Sequence, residues 1–289
     1  EKWSPSTTGT LISNILDKAL KKSFELLDTH SPGLCVFAMG SLGTKEPRFA
    51  SDLDLLFVSD DESALESDAE AIKRFIEIAG SAGLPRIDIR LRPEGEASPP
   101  VNTVERFREY LKNRVSPWEL LAYTRLRYIC GNEATCEKFM KEIIKRLKDF
   151  KLTDYILDEL LRVREKLESL SNTKWSVKHT AGGGYDIEFV TALMFLTSEI
   201  SSTREEPVPA TLKYLARQKG FSWPKGLSMG DVEFLSEAYE LYYRIEHGAG
   251  LQGLNLSSKS VRDKFLSSYF GKLFGKGYWS CLLYTSPSP

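Results

Sequence analysis

The sequence has little of what marks secreted, membrane-spanning or nucleic-acid-binding proteins. Its four cysteines in 289 residues include no Cys-x-x-Cys pair, so neither a disulfide framework nor a zinc site is indicated, and we expect reduced thiols in a cytoplasmic protein. No apolar run reaches the roughly 18 to 20 residues that span a bilayer. The net charge is −1, which gives no reason to expect nucleic acid or an anionic membrane as a partner.

The composition is that of an ordinary soluble globular protein, with 42% hydrophobic and 27% charged residues. The length leaves room for about two domains. Residues 281–289 differ abruptly in character from what precedes them, and we interpret them as a non-native tail. Because the chain also begins without a methionine, we expect it to be a piece of a longer protein.

The most informative stretch is residues 40–58, which read GSLGTKEPRFASDLDLLFV. Apolar runs at 34–39 and 55–58 flank its loop and predict two short, buried β-strands. Asp52 and Asp54 stand at the start of the second strand. Because side chains two residues apart on a strand share a face, the two carboxylates should project together. They would repel each other without a cation between them, so the pattern indicates Mg2+ shared with a substrate phosphate.

The Gly40–Ser41 pair opens this stretch, directly after the first predicted strand. It offers backbone N–H groups and a hydroxyl at a point where the chain must pass close to a phosphate. The alternative interpretation is a plain pair of strands joined by a solvated acidic loop.

Apolar and charged residues alternate over 85–93, which predicts a third strand with one polar face. Asp88 lies on that face, and a strand–helix–strand return would bring it beside the Asp-x-Asp pair. Three carboxylates can hold the two metal ions of an in-line displacement at phosphorus. Arg90 and Arg92 share the face of Asp88 and are placed to bind phosphate oxygens bidentately. A half-exposed strand with surface salt bridges is the alternative.

Helical spacing of apolar residues predicts a packing helix over 10–28 and another over about 60–79. The later part of the chain is almost wholly helical in pattern, with helices predicted over residues 133–148, 153–170, 207–218, 231–246 and 258–274. We therefore divide the chain into an N-terminal helix (1–30), an α/β domain (31–131), a helical-bundle domain (132–280) and the tail (281–289).

Residues 116–119 read Ser-Pro-Trp-Glu, the pattern of a helix start with a capping box. Glu119 is therefore either a cap or a residue that supports the site. Arg125 and Arg127 follow on the same predicted helix but cannot share a face, being two residues apart. We expect one of them to reach a nucleotide and the other to meet solvent.

Three glycines at 182–184 lead into another helix, and such a turn at a helix N-terminus can bind an anion, with Lys178 adding charge. Asp186 and Glu188 could equally be acids of the first turn that stabilise the helix. Their spacing puts them on different faces, so they make a poor metal pair. His247, at a Gly-rich helix end, is expected to be a capping or exposed histidine.

Taken together, these motifs resemble the glutamine synthetase adenylyltransferase family, within the DNA-polymerase-β-like nucleotidyltransferase superfamily. Gly-Ser, a loop and then Ser-Asp-x-Asp-Leu resemble the superfamily signature, and the resemblance to the family covers about residues 10–254. The segments that carry it are Met39–Glu46, Phe49–Leu55, Asp88–Gly95, Pro117–Glu119, Tyr123–Arg127, Gly131–Glu133, Gly182–Phe189 and Tyr243–His247.

The resemblance implies an α/β (α+β) nucleotidyltransferase domain with a small mixed sheet, followed by an all-α helical-bundle domain. It implies metal-dependent transfer of AMP from ATP to a protein tyrosine hydroxyl on glutamine synthetase, in nitrogen regulation. Two Mg2+ ions would assist, ATP would be the substrate, and a PII-type regulatory protein would be a further partner.

By the same resemblance, residues fall into three roles. The metal ions would be held by Asp52, Asp54 and Asp88, and Asp88 could also act as base for the hydroxyl. The nucleotide would be bound by Gly40, Ser41, Ser51, Arg90 and Arg92. Supporting or helical-domain contacts would come from Glu119, Arg125, Lys178, Asp186 and Glu188.

Three other functions stay open. The chain could remove AMP by phosphorolysis, although Asp186-Ile-Glu188 and Phe49-Ala-Ser-Asp52 favour attachment. A small-molecule nucleotidyltransferase of the aminoglycoside type shares Gly-Ser and Asp-x-Asp, but it gives no reason for the segment 182–189. A regulatory module could bind nucleotide without turnover, although such a module would not need the full set of carboxylates.

Overall fold

The two apolar runs around the Gly-Ser loop form antiparallel strands, as predicted: β1 is Cys35–Ala38 and β2 is Leu53–Ser59. Strand β5 (Arg127–Gly131) pairs antiparallel with the other edge of β1. Two short strands, β3 (Ile87–Asp88) and β4 (Val101–Thr103), run parallel to β2 along its free edge. The result is a small mixed sheet of five strands.

The computed structural model describes residues 4–49, 51–169, 178–179, 181–218 and 228–253. The predicted helix over 258–274 and the tail 281–289 lie outside the described residues, as does most of the predicted loop before 182. The helices are α1 (Thr10–Glu25), α2 (Gly40–Gly43), α3 (Leu65–Ser81), α4 (Val104–Asn113), α5 (Pro117–Tyr123), α6 (Glu133–Lys148), α7 (Asp154–Ser169), α8 (Gly184–Leu196), α9 (Val208–Ala216) and α10 (Met229–Leu251), with single turns at Pro5–Gly9, Glu62–Ala64 and Gly95–Ala97.

Side chains on the two faces of the sheet enter two different cores, because alternate residues of a strand point to opposite faces. Val36 and Phe57 pack with α1 and α3 on one face. Phe37 and Leu56 pack with α4, α5 and α6 on the other, and this second core continues into α7 and α8. The sheet is therefore covered by helices on both faces, which is the predicted α/β architecture.

Helices α8, α9 and α10 share a third buried cluster that includes Val208, Leu212 and Tyr239. Helix α6, which begins just after the predicted boundary at 131–132, packs on the sheet through Phe139 and Ile143. The division into domains 31–131 and 132–280 stays a prediction. No helix of the described ranges is long and apolar enough to cross a bilayer.

The third strand is much shorter than predicted, because side chains capture the backbone directly after it. Asp88 accepts the N–H of Arg90 at 2.9 Å, and such a local bond competes with the sheet ladder. The strand pattern over 85–93 therefore gives only two paired residues, Ile87 and Asp88.

His247 is neither exposed nor a cap, which corrects the expectation from the sequence. Helix α10 continues past it to Leu251 instead of ending at the glycines, so the imidazole faces the interior and is 3% exposed. Its Nδ1 accepts the N–H of Phe49 at 3.3 Å, and its ring stacks on Tyr243. The contact fastens α10 to the loop that precedes Asp52.

Arg127 does not meet solvent, which corrects the second expectation for the Arg-x-Arg pair. It begins β5, is 6% exposed, and forms a bidentate ion pair with Asp17 of α1 at 2.8 and 3.0 Å. It also donates to the carbonyl oxygens of Leu42 and Gly43 at 2.9 and 3.1 Å. One buried guanidinium thus ties α1 and the Gly-Ser helix α2 to the sheet.

We expect Arg127→Met to lower the free energy of unfolding by about 3 kcal/mol, because it leaves the partly buried carboxylate of Asp17 without its charged partner and removes one donor from each of two carbonyl oxygens. Chemical denaturation measures the change. Lys22→Met is the matched control on α1, since Lys22 and its partner Glu25 are exposed and such pairs contribute little. Equal shifts in the two variants would contradict the anchoring role of Arg127.

Candidate active site

A cleft of about 1120 Å³ opens between the edge of the sheet at Asp54 and the helices α5, α7, α8 and α10. Most of the predicted site residues line it, namely Gly40, Ser41, Ser51, Asp52, Asp54, Asp88, Arg90, Arg125, Lys178 and Glu188. The remaining predicted residues, Arg92, Glu119 and Asp186, are not among its lining. The sequence motifs that lie far apart in the chain therefore largely meet in one place.

Gly40 and Asp54 are packed so closely that the glycine has no room for a side chain. A Cβ at Gly40 would overlap the Oδ2 oxygen of Asp54, and the residue has φ of 55°, a left-handed conformation that favours glycine. The backbone N–H of Met39 also donates to the carbonyl oxygen of Asp54 at 2.9 Å. The Gly-Ser motif thus fixes the position of the second aspartate of Asp-x-Asp.

Asp54 faces Asp88 across the parallel pair β2–β3, where the two residues are direct register partners. Burial raises the pKa of Asp54 to about 6, and the nearby charges of Asp88 and Asp52 add to this, while Lys178 and Arg125 oppose it. Two carboxylates so placed repel each other, and a cation between them would relieve that repulsion.

Each of the other two aspartates is paired with an arginine. Nε of Arg90 donates to both oxygens of Asp88 at 3.0 and 2.9 Å, and this bonding holds the pKa of Asp88 below its usual range. Arg86 donates to Asp52 through Nη2 at 2.7 Å and Nε at 3.2 Å. The lowered pKa of Asp88 makes it a weaker proton acceptor than Asp54. This speaks against the predicted role of Asp88 as a base, because a base must accept a proton.

The acidic edge of the sheet offers oxygen donors for a metal ion but not an all-protein cage. Within the described ranges, no three acidic, histidine or cysteine side chains stand close enough together to hold one ion. Asp54 and Asp88 nevertheless provide the carboxylate oxygens that Mg2+ prefers, and Mg2+ is commonly bound by one or two carboxylates plus substrate phosphates. The residues present fit that kind of site.

The predicted nucleotide-binding residues divide between the cleft and its surroundings. Ser41 lines the cleft from α2, and Ser51 lines it while its hydroxyl accepts the N–H of Arg48 at 3.0 Å. Arg92 instead donates to the carbonyl oxygens of Ile89 and Ser98 at 2.6 and 3.0 Å. It stabilises the loop after β3, so the structure does not bring it to the cleft.

Two buried ion pairs form the wall of the cleft opposite the aspartates. Nη2 of Arg125 donates to Glu188 of α8 at 3.0 Å. Nε of Arg48 lies 2.6 Å from Oε2 of Glu246 of α10, a contact of opposite charges without the alignment of a hydrogen bond. Both arginines line the cleft together with their partners Glu188 and Glu246, and Lys178 adds a third cation to this wall.

Glu188 keeps its negative charge despite being buried. Burial alone would raise its pKa, but Arg125, Lys178 and Arg48 outweigh this and lower the pKa to about 2. The ammonium of Lys178 also lies 4.8 Å from the centre of the Tyr185 ring. Glu188 therefore holds several cations of this wall together.

Glu119 and Asp186 have structural partners. Glu119 accepts the N–H of Ser116 at 2.9 Å in the predicted capping box and also accepts the hydroxyl of Tyr110 at 2.6 Å. Asp186 pairs with Arg164 of α7 and accepts the N–H of Gly182 at 2.6 Å. It joins α7 to the glycine turn before α8.

Part of the cleft lining is apolar. These side chains come from the loop after β3 and from helices α5, α7 and α8. This apolar compartment is lined by Leu91, Trp118, Leu121, Val163, Leu167 and Phe189.

Sequence reasoning missed several lining residues. Arg48 lines the cleft, and Arg86 is outside its lining but binds Asp52. Neither arginine carries a local pattern of its own, because their partners Glu246 and Asp52 are identified only by the fold. The apolar compartment did leave a signal, since Trp118 precedes Leu121, Ala122 and Arg125 at intervals of three, four and seven residues. That spacing marks one helix face.

Comparison with known proteins identifies a family that this chain resembles over most of its length. The family model described as glutamate-ammonia ligase adenylyltransferase matches residues 9–142. A bifunctional glutamine synthetase adenylyltransferase/adenylyl-removing enzyme from Bordetella bronchiseptica is 33% identical over 241 residues, which cover 78% of this chain and 24% of that protein. Its namesakes from Chromobacterium violaceum and Nitrosomonas eutropha are each 30% identical, over 76% and 90% of this chain and 25% and 29% of their own lengths.

The chain thus spans about a quarter of the length of the first two of these relatives. The matched region of the family model contains the Gly-Ser helix, both strands of the aspartate pair and helix α5. The chain belongs to the glutamate-ammonia ligase adenylyltransferase family.

Proposed function

We propose that this chain transfers AMP from ATP to a tyrosine hydroxyl of glutamine synthetase. The names of its relatives supply the protein substrate, and the cleft supplies a place for the nucleotide. The observation that carries the proposal is the pairing of Asp54 with Asp88 on adjacent strands, packed against a glycine that leads into the cleft. That arrangement suits the transfer of AMP better than it suits nucleotide binding without a reaction.

The polarity of the cleft suggests how ATP would lie in it. The triphosphate would occupy the end that holds Ser41, Arg90 and Arg125, and the adenine would enter the apolar compartment. Asp54 and Asp88 would hold Mg2+, with Asp52 as a further donor. The ion would offset the negative charge that builds up on the phosphates.

In the reaction the tyrosine hydroxyl would give up its proton to a carboxylate of the acidic edge, Asp54 or Asp88. Its oxygen would form a bond to the α-phosphorus while the bond to the leaving pyrophosphate breaks. The cations of the far wall, Arg48, Arg125 and Lys178, would stabilise the charge that passes to pyrophosphate. Preorganised charges in a partly buried cleft are effective in this role because they need not reorganise during the reaction. We also propose that α8–α10 belong to an all-α domain that encloses the nucleotide, in a cytoplasmic enzyme with a PII-type regulator.

Asp54→Asn provides the direct test, because the amide keeps the shape of the side chain but not its charge. We expect AMP transfer to purified glutamine synthetase, followed with α-labelled ATP and Mg2+, to fall by on the order of 100-fold or more, since loss of even an outer metal contact can cost this much. Asp158→Asn, on the exposed side of α7, should retain activity.

The other candidate functions predict different outcomes of the same assay. Phosphate-dependent release of ADP from adenylylated glutamine synthetase, without transfer, would show the removing reaction that the relatives' names also include. Transfer only to a small-molecule hydroxyl would favour the aminoglycoside type of enzyme. ATP binding with no turnover of any kind would refute catalysis and leave a nucleotide-binding module.

Trp118→Ala should weaken use of ATP through loss of the aromatic wall of the apolar compartment. Stacking of a base on an aromatic side chain contributes about 1–3 kcal/mol, so we expect the KM for ATP to rise about tenfold or more while kcat changes less. Tyr155→Ala is the control, since Tyr155 is 74% exposed and is not among the residues lining the cleft. An unchanged KM in Trp118→Ala would exclude the compartment as the adenine site.

A further inference from the structure

Three buried side chains from distant parts of the chain form an unbroken line that ends at Arg125. Glu46 lies in the loop between α2 and β2, Tyr239 on α10 and Glu188 on α8, and their exposures are 0%, 0% and 6%. The hydroxyl of Tyr239 is 3.0 Å from Oε1 of Glu46 and 3.1 Å from Oε1 of Glu188. The other oxygen of Glu188 accepts a hydrogen bond from Arg125.

A count of hydrogen atoms shows that this line is one proton short if both acids are ionised. A phenol has a single O–H hydrogen, and an ionised carboxylate can only accept. With two carboxylates, one contact of Tyr239 would bring oxygen lone pairs together at hydrogen-bond distance in a buried place, which is unfavourable. One additional proton, on one of the glutamates, resolves both contacts.

Glu46 is the glutamate whose surroundings suit the neutral form. Its other direct donors are uncharged, namely the hydroxyl of Thr44 and the N–H of Val208, each at 3.0 Å. Glu188, by contrast, receives the guanidinium of Arg125 directly. With this proton in place, Glu46 donates to Tyr239 and Tyr239 donates to Glu188. Glu188 also accepts from Arg125, so every contact of the line has one donor and one acceptor.

The charges around Glu46 agree with this assignment. The groups that face it are Glu188, Tyr239, Arg125, Arg48 and Arg204. Burial and the charge of Glu188 raise the pKa of Glu46, against the lowering effect of Arg125 and Arg48. Arg204 is itself buried, which lowers its pKa to about 9, and its Nε and Nη2 donate to the hydroxyl of Thr124.

We propose that Tyr239 is a positioning residue that shares one proton with Glu46 and Glu188 and thereby holds Arg125 in place at the phosphate end of the cleft. The line joins the loop between α2 and β2 to helices α8 and α10. It therefore holds these two helices in one arrangement with the strand that carries Asp54. The role of Arg125 toward phosphate rests on the proposed function, whereas the shared proton does not.

Isosteric amides test the shared proton without any activity. Gln is a good substitute for a neutral glutamic acid and a poor one for an ionised glutamate. We expect the infrared carbonyl band of a protonated carboxyl group to be present in the wild type at neutral pH and to disappear in Glu46→Gln. Glu46→Gln should also keep the wild-type urea midpoint, whereas Glu188→Gln should lower it. A band that persists in Glu46→Gln, or an equal lowering of the urea midpoint in Glu46→Gln and Glu188→Gln, would overturn the assignment.

Tyrosine variants test the positioning. Tyr239→Phe removes the shared hydroxyl, and its control Tyr243→Phe removes a buried hydroxyl on the same helix that donates only to the carbonyl of Pro47, at 3.1 Å. We expect Tyr239→Phe to weaken binding of Mg–ATP about tenfold, as befits a buried charged acceptor left without its donor, and Tyr243→Phe to change it less than twofold. Equal effects would reduce Tyr239 to a packing residue.

The two sets of measurements separate the failure of this inference from the failure of the proposed function. If AMP is not transferred but the infrared band behaves as expected, the proton line stands and the proposed reaction falls. If AMP is transferred and the band is absent, the reaction stands and the shared proton is refuted.

Discussion

The contact between Gly40 and Asp54 is the constraint on which the site depends. The carboxylate occupies the space where any other residue would carry a Cβ, so a side chain at position 40 would displace the carboxylate of Asp54. Ser41 lines the same cleft as Asp54, and the parallel register then adds Asp88. A phosphate-binding turn and two carboxylates are thereby brought to one edge of the sheet by backbone geometry, before any ligand is present.

The sequence was informative where a feature depends on neighbouring residues and less so where it depends on distant ones. Strands β1 and β2 were predicted because each is a short apolar run, and the capping box from Ser116 to Glu119 was predicted because it is a local pattern. Asp88 was placed correctly beside Asp54 because a strand–helix–strand return is a common connection. The strand pattern over 85–93 misled because Asp88 and Arg92 bond to nearby backbone groups, a competition that alternation does not reveal.

Arg127, His247 and Glu46 show the limit most clearly. Arg127 binds Asp17 across more than a hundred residues of chain, and His247 and Glu46 meet partners nearly two hundred residues away. A polar residue in a sequence is expected at the surface unless it is paired, and pairing at such separation is a property of the fold. The expectations that one arginine of the Arg125/Arg127 pair meets solvent and that His247 is a cap or exposed therefore failed for the same physical reason.

The charges of the cleft are balanced in a way that prepares it for an anionic ligand with its cation. Burying a charge is unfavourable unless it is paired, and here the buried carboxylates of Asp88 and Glu188 pair with Arg90 and Arg125. The exposed Asp52 pairs with Arg86. A metal ion at the aspartates would replace the arginines as their counterions, and phosphates would then take up the released arginines. The metal ion would meet the aspartates and the phosphates would meet the arginines. Binding the ion and the phosphates together would therefore leave fewer charges unpaired than binding either one alone.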